Sequence, residues 1–344
     1  MKYLNMIRTV TAVMTFSFLA ALPANANNIE VKTVKVTPLG SHNGEFCRDD
    51  RALIFEDPNG TRILYDPGHT VIGAADSRLR KIHVVLVTHL HGDHVGDWHY
   101  PRVNFRGCGE RVDQVYQAND LPNTNAAKIA LAKKAVIVTG SKMPKFGSGM
   151  QDFFKRKLEA LDGDPKKSKQ APHKVGGVTI TTVPAVHPNP VVGGMIGGEL
   201  GSLLSKAKLT AYVGPATGYV LKFSNGLAVY LSGDTSITAE QDTLVRQHYR
   251  VKLVVMNISN PYPTEPTTEP NEAVQIIKLI KPVSVIVSHA REAATINGEV
   301  IPGTKTDRFI KKIEKNKRMK GKVHVPLSGI TMEFDVTGNC VAGC

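Results

Sequence analysis

Beyond residue 22 the sequence has no apolar run long enough to cross a membrane, which takes roughly 20 residues. A membrane-spanning body is therefore excluded. There is no glycine-rich phosphate loop of the nucleotide-binding type, so an NTPase is not indicated. No Ser-His-Asp arrangement stands out in motif form, which removes the usual sign of a hydroxyl nucleophile. Internal repeats and extended low-complexity tracts are absent, which leaves ordinary globular architectures. Acids are in short supply, with 30 Asp and Glu against 43 Lys and Arg, for a formal charge of +13. The excess gathers in "KRK" (155–157), "PKKSK" (165–169) and "KKIEKNKRMKGK" (311–322). Such runs suit anionic partners or simply a solvated lysine face. Aromatics are not interleaved with them, which disfavours a nucleic-acid groove.

Cysteine is also scarce, with four residues: Cys47, Cys108, Cys340 and Cys344. Four cysteines allow about three pairings, and spacing does not choose among them. Cys340 and Cys344 are near enough to close a small terminal loop, which leaves Cys47 for Cys108; four free thiols are the alternative. Their spacing is not that of a zinc knuckle. An exporting context would favour bridges, and the N-terminus suggests one. Lys2 and Arg8 precede an apolar stretch from Val10 to Leu22, followed by Ala24-Asn25-Ala26. This pattern reads as a secretory signal peptide (1–26), with an uncleaved anchor as the alternative. The expectation is a domain over 27–344, secreted or periplasmic. Oligomeric state is not readable.

With 344 residues and 42% hydrophobic content, the chain can bury a sizeable core. "ALIFEDPNGTRILYD" (52–66) and "KFSNGLAVY" (222–230) read as hairpins around Asp-Pro-Asn-Gly and Asn-Gly turns. Further strands are expected at 82–88, 177–187, 219–223, 227–233, 253–259, 283–289 and 330–334. Helical spacing recurs at 125–135, 239–249, 271–280 and 306–316. Hairpins followed by strand-helix alternation imply an α/β layered domain whose sheets are covered on one face. Polar connections are expected at 161–174 and 260–270, and "NPVVGGMIGGELGSLL" (189–204) reads either as a flap or as core.

Against this background "THLHGDH" (88–94) is dense in chemistry. His89 and His91 alternate in an extended stretch and can point the same way. Gly92 lets the backbone bend tightly, so Asp93 and His94 can turn toward the same place. Imidazoles and carboxylates are donors suited to Zn²⁺, although Fe²⁺ or Mn²⁺ would also accept them. His187, Asp234 and His289 each follow the carboxyl end of an apolar strand, as this cluster does. Ligand sites of open α/β sheets gather at that edge. His69, His83, His99, His173 and His248 lack such company and read as structural or surface residues.

The order His-x-His-x-Asp-His, then His, then Asp in "GDT", then a last His resembles the metallo-β-lactamase superfamily, and "ILYDPG" with Asp66 resembles its first motif. The resemblance implies an αββα sandwich with the site at one edge. It implies two metal ions, zinc by default: His89, His91 and His187 on one, Asp93, His94 and His289 on the other, and Asp234 bridging. Asp66 would support the site from behind. A water between two such cations is acidified from 15.7 toward about 7, and Asp93 and Asp234 would orient it and share its proton. True β-lactamases usually carry cysteine where Asp234 stands, which argues against antibiotic hydrolysis. The chain is most similar to the hydrolases related to ascorbate-6-phosphate lactonase and to N-acyl-phosphatidylethanolamine phospholipase D. The tRNA 3′-processing endonucleases share "SGDT", but no arm-like insertion is evident. His42 could match a site histidine of the lactonase-like relatives or be a turn residue. The span from His94 to His187 is long for the family. The expected activity is hydrolysis of an ester-like bond, phosphodiester or lactone, in a small-molecule or lipid-like anionic substrate. Thioester or β-lactam hydrolysis, and a non-catalytic metal-bound binding protein, are the alternatives.

Overall fold

The computed structural model describes residues 32–112, 124–139, 168–170, 173–188, 190–193, 198–212, 214–259 and 270–344. The segment expected to be a signal peptide (1–26) and most of the 161–174 and 260–270 connections lie outside the described residues. Residues 32–344 make one compact unit.

Chain order explains the layers. β1 (Val34–Pro38), β2 (Leu53–Glu56) and β3 (Arg62–Tyr65) form an antiparallel meander. β4 (Val84–Leu86), β5 (Val136–Thr139) and β6 (Ser168–Gln170) extend it in parallel. β7 (His173–Val175) and β8 (Val178–Pro184) open a second sheet as a hairpin. β9 (Pro190–Val192) and β10 (Thr210–Tyr212) form a separate two-stranded ladder. β11 (Thr217–Lys222), β12 (Ala228–Leu231), β13 (Leu253–Asn257) and β14 (Ser284–Ser288) continue the second sheet, the last three parallel. β15 (Thr295–Ile296) and β16 (Glu299–Val300) are a small hairpin, and β17 (Val323–His324) joins β14. β18 (Met332–Phe334) and β19 (Cys340–Ala342) return to the first sheet beside β1.

The two sheets face each other across one apolar layer. Val34, Phe55, Ile63 and Leu86 of the first meet Ile180, Tyr219, Leu231 and Val255 of the second. β1 alternates inward valines with outward polar residues, whereas β13 and β14 are buried along their whole length. The reason is cover on both faces. α1 (Gly92–Val95) and α2 (Asn125–Lys133) pack outside the first sheet. α3 (Gly198–Ala207) is followed by α4 (Gln241–His248), α5 (Pro270–Ile280) and α6 (Lys305–Glu314), and these last three cover the second sheet. The layers are helix, sheet, sheet, helix: the expected αββα sandwich.

Three expectations change. The 161–174 connection is not simply a loop, because its described part contains β6 and starts β7. "SKQ" and "HKV" are short polar edge strands without an apolar alternation to announce them. The helix expected over 239–249 is π-helical, with Tyr249 N–H donating to Leu244 O at 2.8 Å. In 189–204 the described residues form β9 and the start of α3, whose Leu200 and Leu203 are exposed while Leu204 packs against the core.

Candidate metal centre

Parallel strands end together, and this brings the site residues to one edge. Tyr65 of β3 pairs with Leu86 of β4, so Asp66 lies beside the segment that carries Thr88 and His89. In the second sheet Leu231, Val255 and Ile286 are in register. The residues after those strands therefore share the same edge, and Asp234 and His289 are among them.

Within "THLHGDH" the backbone extends through His91 (φ −62°, ψ 144°) and then coils into α1. His94 and Val95 N–H groups donate to His91 O at 2.9 and 3.1 Å. The tight bend expected at Gly92 is the first residue of a helical turn. Its missing Cβ matters because the Asp97 carboxylate occupies that space. Asp97 in turn accepts from His69 Nε2 at 2.8 Å, and His69 stacks on Trp98, which braces α1 from behind.

Three of the five imidazoles are oriented by a bond on the far side. Asp66, fully buried and held at φ 38°, accepts Thr88 N–H at 2.9 Å and Thr88 Oγ1–H at 2.7 Å. It also accepts His94 Nδ1–H at 2.7 Å. Thr88 Oγ1, its own proton committed, accepts from His89 Nδ1 at 3.1 Å. His289 Nδ1–H donates to Ser259 O at 2.9 Å. These acceptors fix the ring orientations, so Nε2 of His89, His94 and His289 turns inward.

The inward atoms form two groups. His91 Nδ1 lies 3.0 Å from His89 Nε2 and 3.3 Å from His187 Nε2. One proton cannot satisfy three converging nitrogens, whereas one cation can, and all three residues are buried. Asp93, His94 and His289 form the second group. Asp234 stands between: Oδ1 is 3.4 Å from His94 Nε2, and Oδ2 is 3.8 Å from His187 Nε2 and 3.7 Å from His289 Nε2. Asn257 Nδ2 holds Asp234 Oδ1 at 2.6 Å. All seven sequence-nominated residues therefore lie together. His42 does not: its ring contacts Ser41 Oγ and Arg106 O.

Burial, together with neighbouring imidazoles, holds His89 well below the usual histidine range. Burial takes His91 down to about 4 and, with Arg51, does the same to His289. These rings are neutral donors. Burial also opposes charge on His94, but Asp234, Asp66 and Asp93 push it up to about 10. Asp93 and Asp234 stay well below the carboxylate range despite burial. Arg51 and His94 dominate for the first, His289 and His94 for the second.

The sequence reading missed several partners. Arg51, 3% exposed at its side chain, forms an ion pair with Asp93 Oδ2, and Arg291 Nη2 donates to the same oxygen at 2.9 Å. Arg48 Nη1 donates to Arg291 O at 3.2 Å, and the Cys47–Cys108 disulfide anchors that stretch. Cys340 is joined to Cys344. Asn257 ends an apolar strand at the same edge, so the rule that nominated Asp234 and His289 would have found it. Nothing in "CRDDRAL" announces Arg51.

A family model described as the beta-lactamase superfamily domain matches residues 49–289, a span that contains Asp66 and every inward-facing donor. The chain belongs to this superfamily. A UPF0173 metal-dependent hydrolase from Koribacter versatilis is 24% identical over 245 residues, covering 70% of this chain and 82% of the relative. Another from Thermococcus onnurineus is 26% identical over 238 residues, covering 68% and 80%. Among solved structures, a metallo hydrolase from Ignicoccus hospitalis superposes with a TM-score of 0.52 at 20% identity, over 88% of this chain and 99% of that one. An isothiocyanate hydrolase from Delia radicum gut bacteria gives 0.50 at 15% identity, with the same coverages. These likenesses show the metallo-β-lactamase fold. The protein is a metal-dependent hydrolase of the metallo-β-lactamase superfamily.

Proposed function

We propose that the protein is an exported hydrolase with two metal ions, zinc by default, that cleaves a phosphodiester or lactone in an anionic substrate. The observation that carries this reading is Asp234, whose two carboxylate oxygens face a three-imidazole group on one side and an Asp-His-His group on the other. The N-terminal apolar segment and the Cys47–Cys108 bridge support export to the periplasm.

His89, His91 and His187 would hold one cation, Asp93, His94 and His289 the other, with Asp234 shared. Such cations acidify a bound water toward neutrality and polarise the electrophile's oxygen. The chain itself does the positioning. Asp66 and Ser259 O keep the imidazoles turned inward, and Asn257 keeps Asp234 from rotating. Arg51 and Arg291 hold one oxygen of Asp93 and aim the carboxylate, which accepts a hydrogen bond from the attacking water. In the overall reaction the water oxygen bonds to phosphorus or carbon, the ester C–O or P–O bond breaks, and the proton ends on the leaving oxygen. Arg291, 27% exposed at its side chain, places positive charge at the rim, which suits an anionic substrate.

The test is to purify the mature protein, count bound metals, and assay phosphodiesters, lactones, thioesters and β-lactams beside Asp93→Ala. Turnover confined to the first two classes, and lost in the variant, is expected. Stoichiometric metal with no turnover in any class would leave a binding protein instead.

A further inference from the structure

Large apolar side chains are unevenly exposed on this protein. Among the described residues, six of the twelve exposed ones fall between residues 186 and 212: Val186 (55%), Val192 (45%), Leu200 (39%), Leu203 (56%), Leu209 (60%) and Tyr212 (55%). Leu200 and Leu203 are three apart on α3 and share one face, which is turned to solvent. Single exposed leucines need no explanation, but a cluster does.

Two members of this group, Val186 and Tyr212, border the metal centre. Val186 and Tyr212 line a cavity of about 390 Å³ together with Pro188, Pro215, Ser236 and His187. That volume lies in the range of small-molecule sites, about 300–1,000 Å³. His187 is one wall of the cavity, and its Nε2 belongs to the three-imidazole group. A group seated there lies directly beside the reacting atoms. The opposite group differs in kind: its Asp93 is flanked by Arg51 and Arg291. The site therefore has an apolar flank at His187 and a cationic flank at Asp93.

We propose that the cavity beside His187 seats a hydrocarbon portion of the substrate, so that the substrate class is an amphiphilic ester with an anionic group and an alkyl or acyl chain. This rests on the hydrolase reading above and narrows it. The occupant is the substrate's chain rather than a second protein copy, because a copy docked on Val186 and Tyr212 would close the approach to His187. The β9–β10 register places Val192 on the same face as Tyr212, so the apolar surface continues beyond the cavity, where a longer chain can lie.

The probes are alkyl phosphates, methyl to decyl, used below their micelle concentrations, with binding measured by calorimetry on the metal-loaded protein. A matching series of alkyl p-nitrophenyl phosphodiesters gives turnover. Affinity should rise about fourfold per methylene until the cavity is full, then level off. In the diesters this gain should appear in KM. Tyr212→Asp and Val186→Asp should collapse the ratio of decyl to methyl affinity by at least about tenfold. Both residues are exposed, and circular dichroism checks folding; Val192→Ser, farther along the same face, should lower the gain only for the longest chains. Equal affinity for methyl and decyl phosphate would overturn the subsite, even if short diesters were cleaved. So would a dimer split by Leu203→Asp in a protein without chain-length dependence. Chain-length dependence without cleavage of any diester or lactone would keep the subsite and remove the hydrolase substrate assignment instead.

Discussion

The two halves of the centre are built from different physics. The His89–His91–His187 half is three buried rings whose nitrogens converge, and burial holds His89 and His91 below the usual histidine range. The Asp93–His94–His289 half already carries cations: Arg51 and Arg291 sit on Asp93, and His94 is pushed up to about 10. The first half presents three converging ring nitrogens, which one incoming cation can satisfy together. In the second, an incoming cation must share Asp93 with two guanidinium groups. The halves should therefore differ in metal affinity, with the imidazole half the tighter. Asp234 is what joins them.

The comparison breaks most completely at Asp234. Asp234→Ala should lower kcat on the order of 10³-fold and reduce metal content in both halves, read by steady-state kinetics beside elemental analysis. Retention of both metals would show that the halves do not need it. Arg51→Met tests the charged half. A buried pair broken on one side costs about 3–5 kcal/mol, so denaturant melts of the metal-free protein should show a loss of that order. Added Zn²⁺ should recover more of it than in the parent, because the cation no longer shares Asp93. Asn257→Ala leaves every ligand in place but releases Asp234. A loss of about 10–100-fold in metal affinity is expected, measured by competition with a chromogenic chelator.

The smallest effect sharpens the contrast with a buried histidine that serves no such centre. His324 on β17 packs against Phe334, and burial with Lys322 nearby lowers it to about 4. The folded state keeps this ring neutral, while the unfolded chain protonates it near the ordinary histidine value of 6.5. The unfolded state therefore binds more protons between those values, and stability falls as pH drops from 6.5 through 4. His324→Gln should flatten that slope in urea melts run across the window, and an unchanged slope would remove His324 from the acid response.

The same contrast explains what was legible in the sequence. Ligands that follow apolar strands could be nominated, because parallel strands end at one edge and the apolar runs mark where they end; His187, Asp234 and His289 are of this kind. Short, polar or edge elements could not. β6 and β7 carry no alternation, and the "VIVT" of β5 is four residues directly after a helix. Arg51 reaches Asp93 only because the first sheet folds "DDRAL" across the site, a long-range fact that local pattern does not encode. Gly92 was singled out for backbone freedom, but its role is to leave room for Asp97. Close approach of a distant carboxylate leaves no trace in spacing.

The most direct measurement is the metal-to-protein ratio of freshly purified, chelator-free protein, taken beside His91→Ala and Asp93→Ala. Close to two equivalents are expected in the parent, with Asp93→Ala losing the weaker one and keeping the tighter. A parent without bound transition metal, or an Asp93→Ala variant that keeps both ions, would contradict the paired centre.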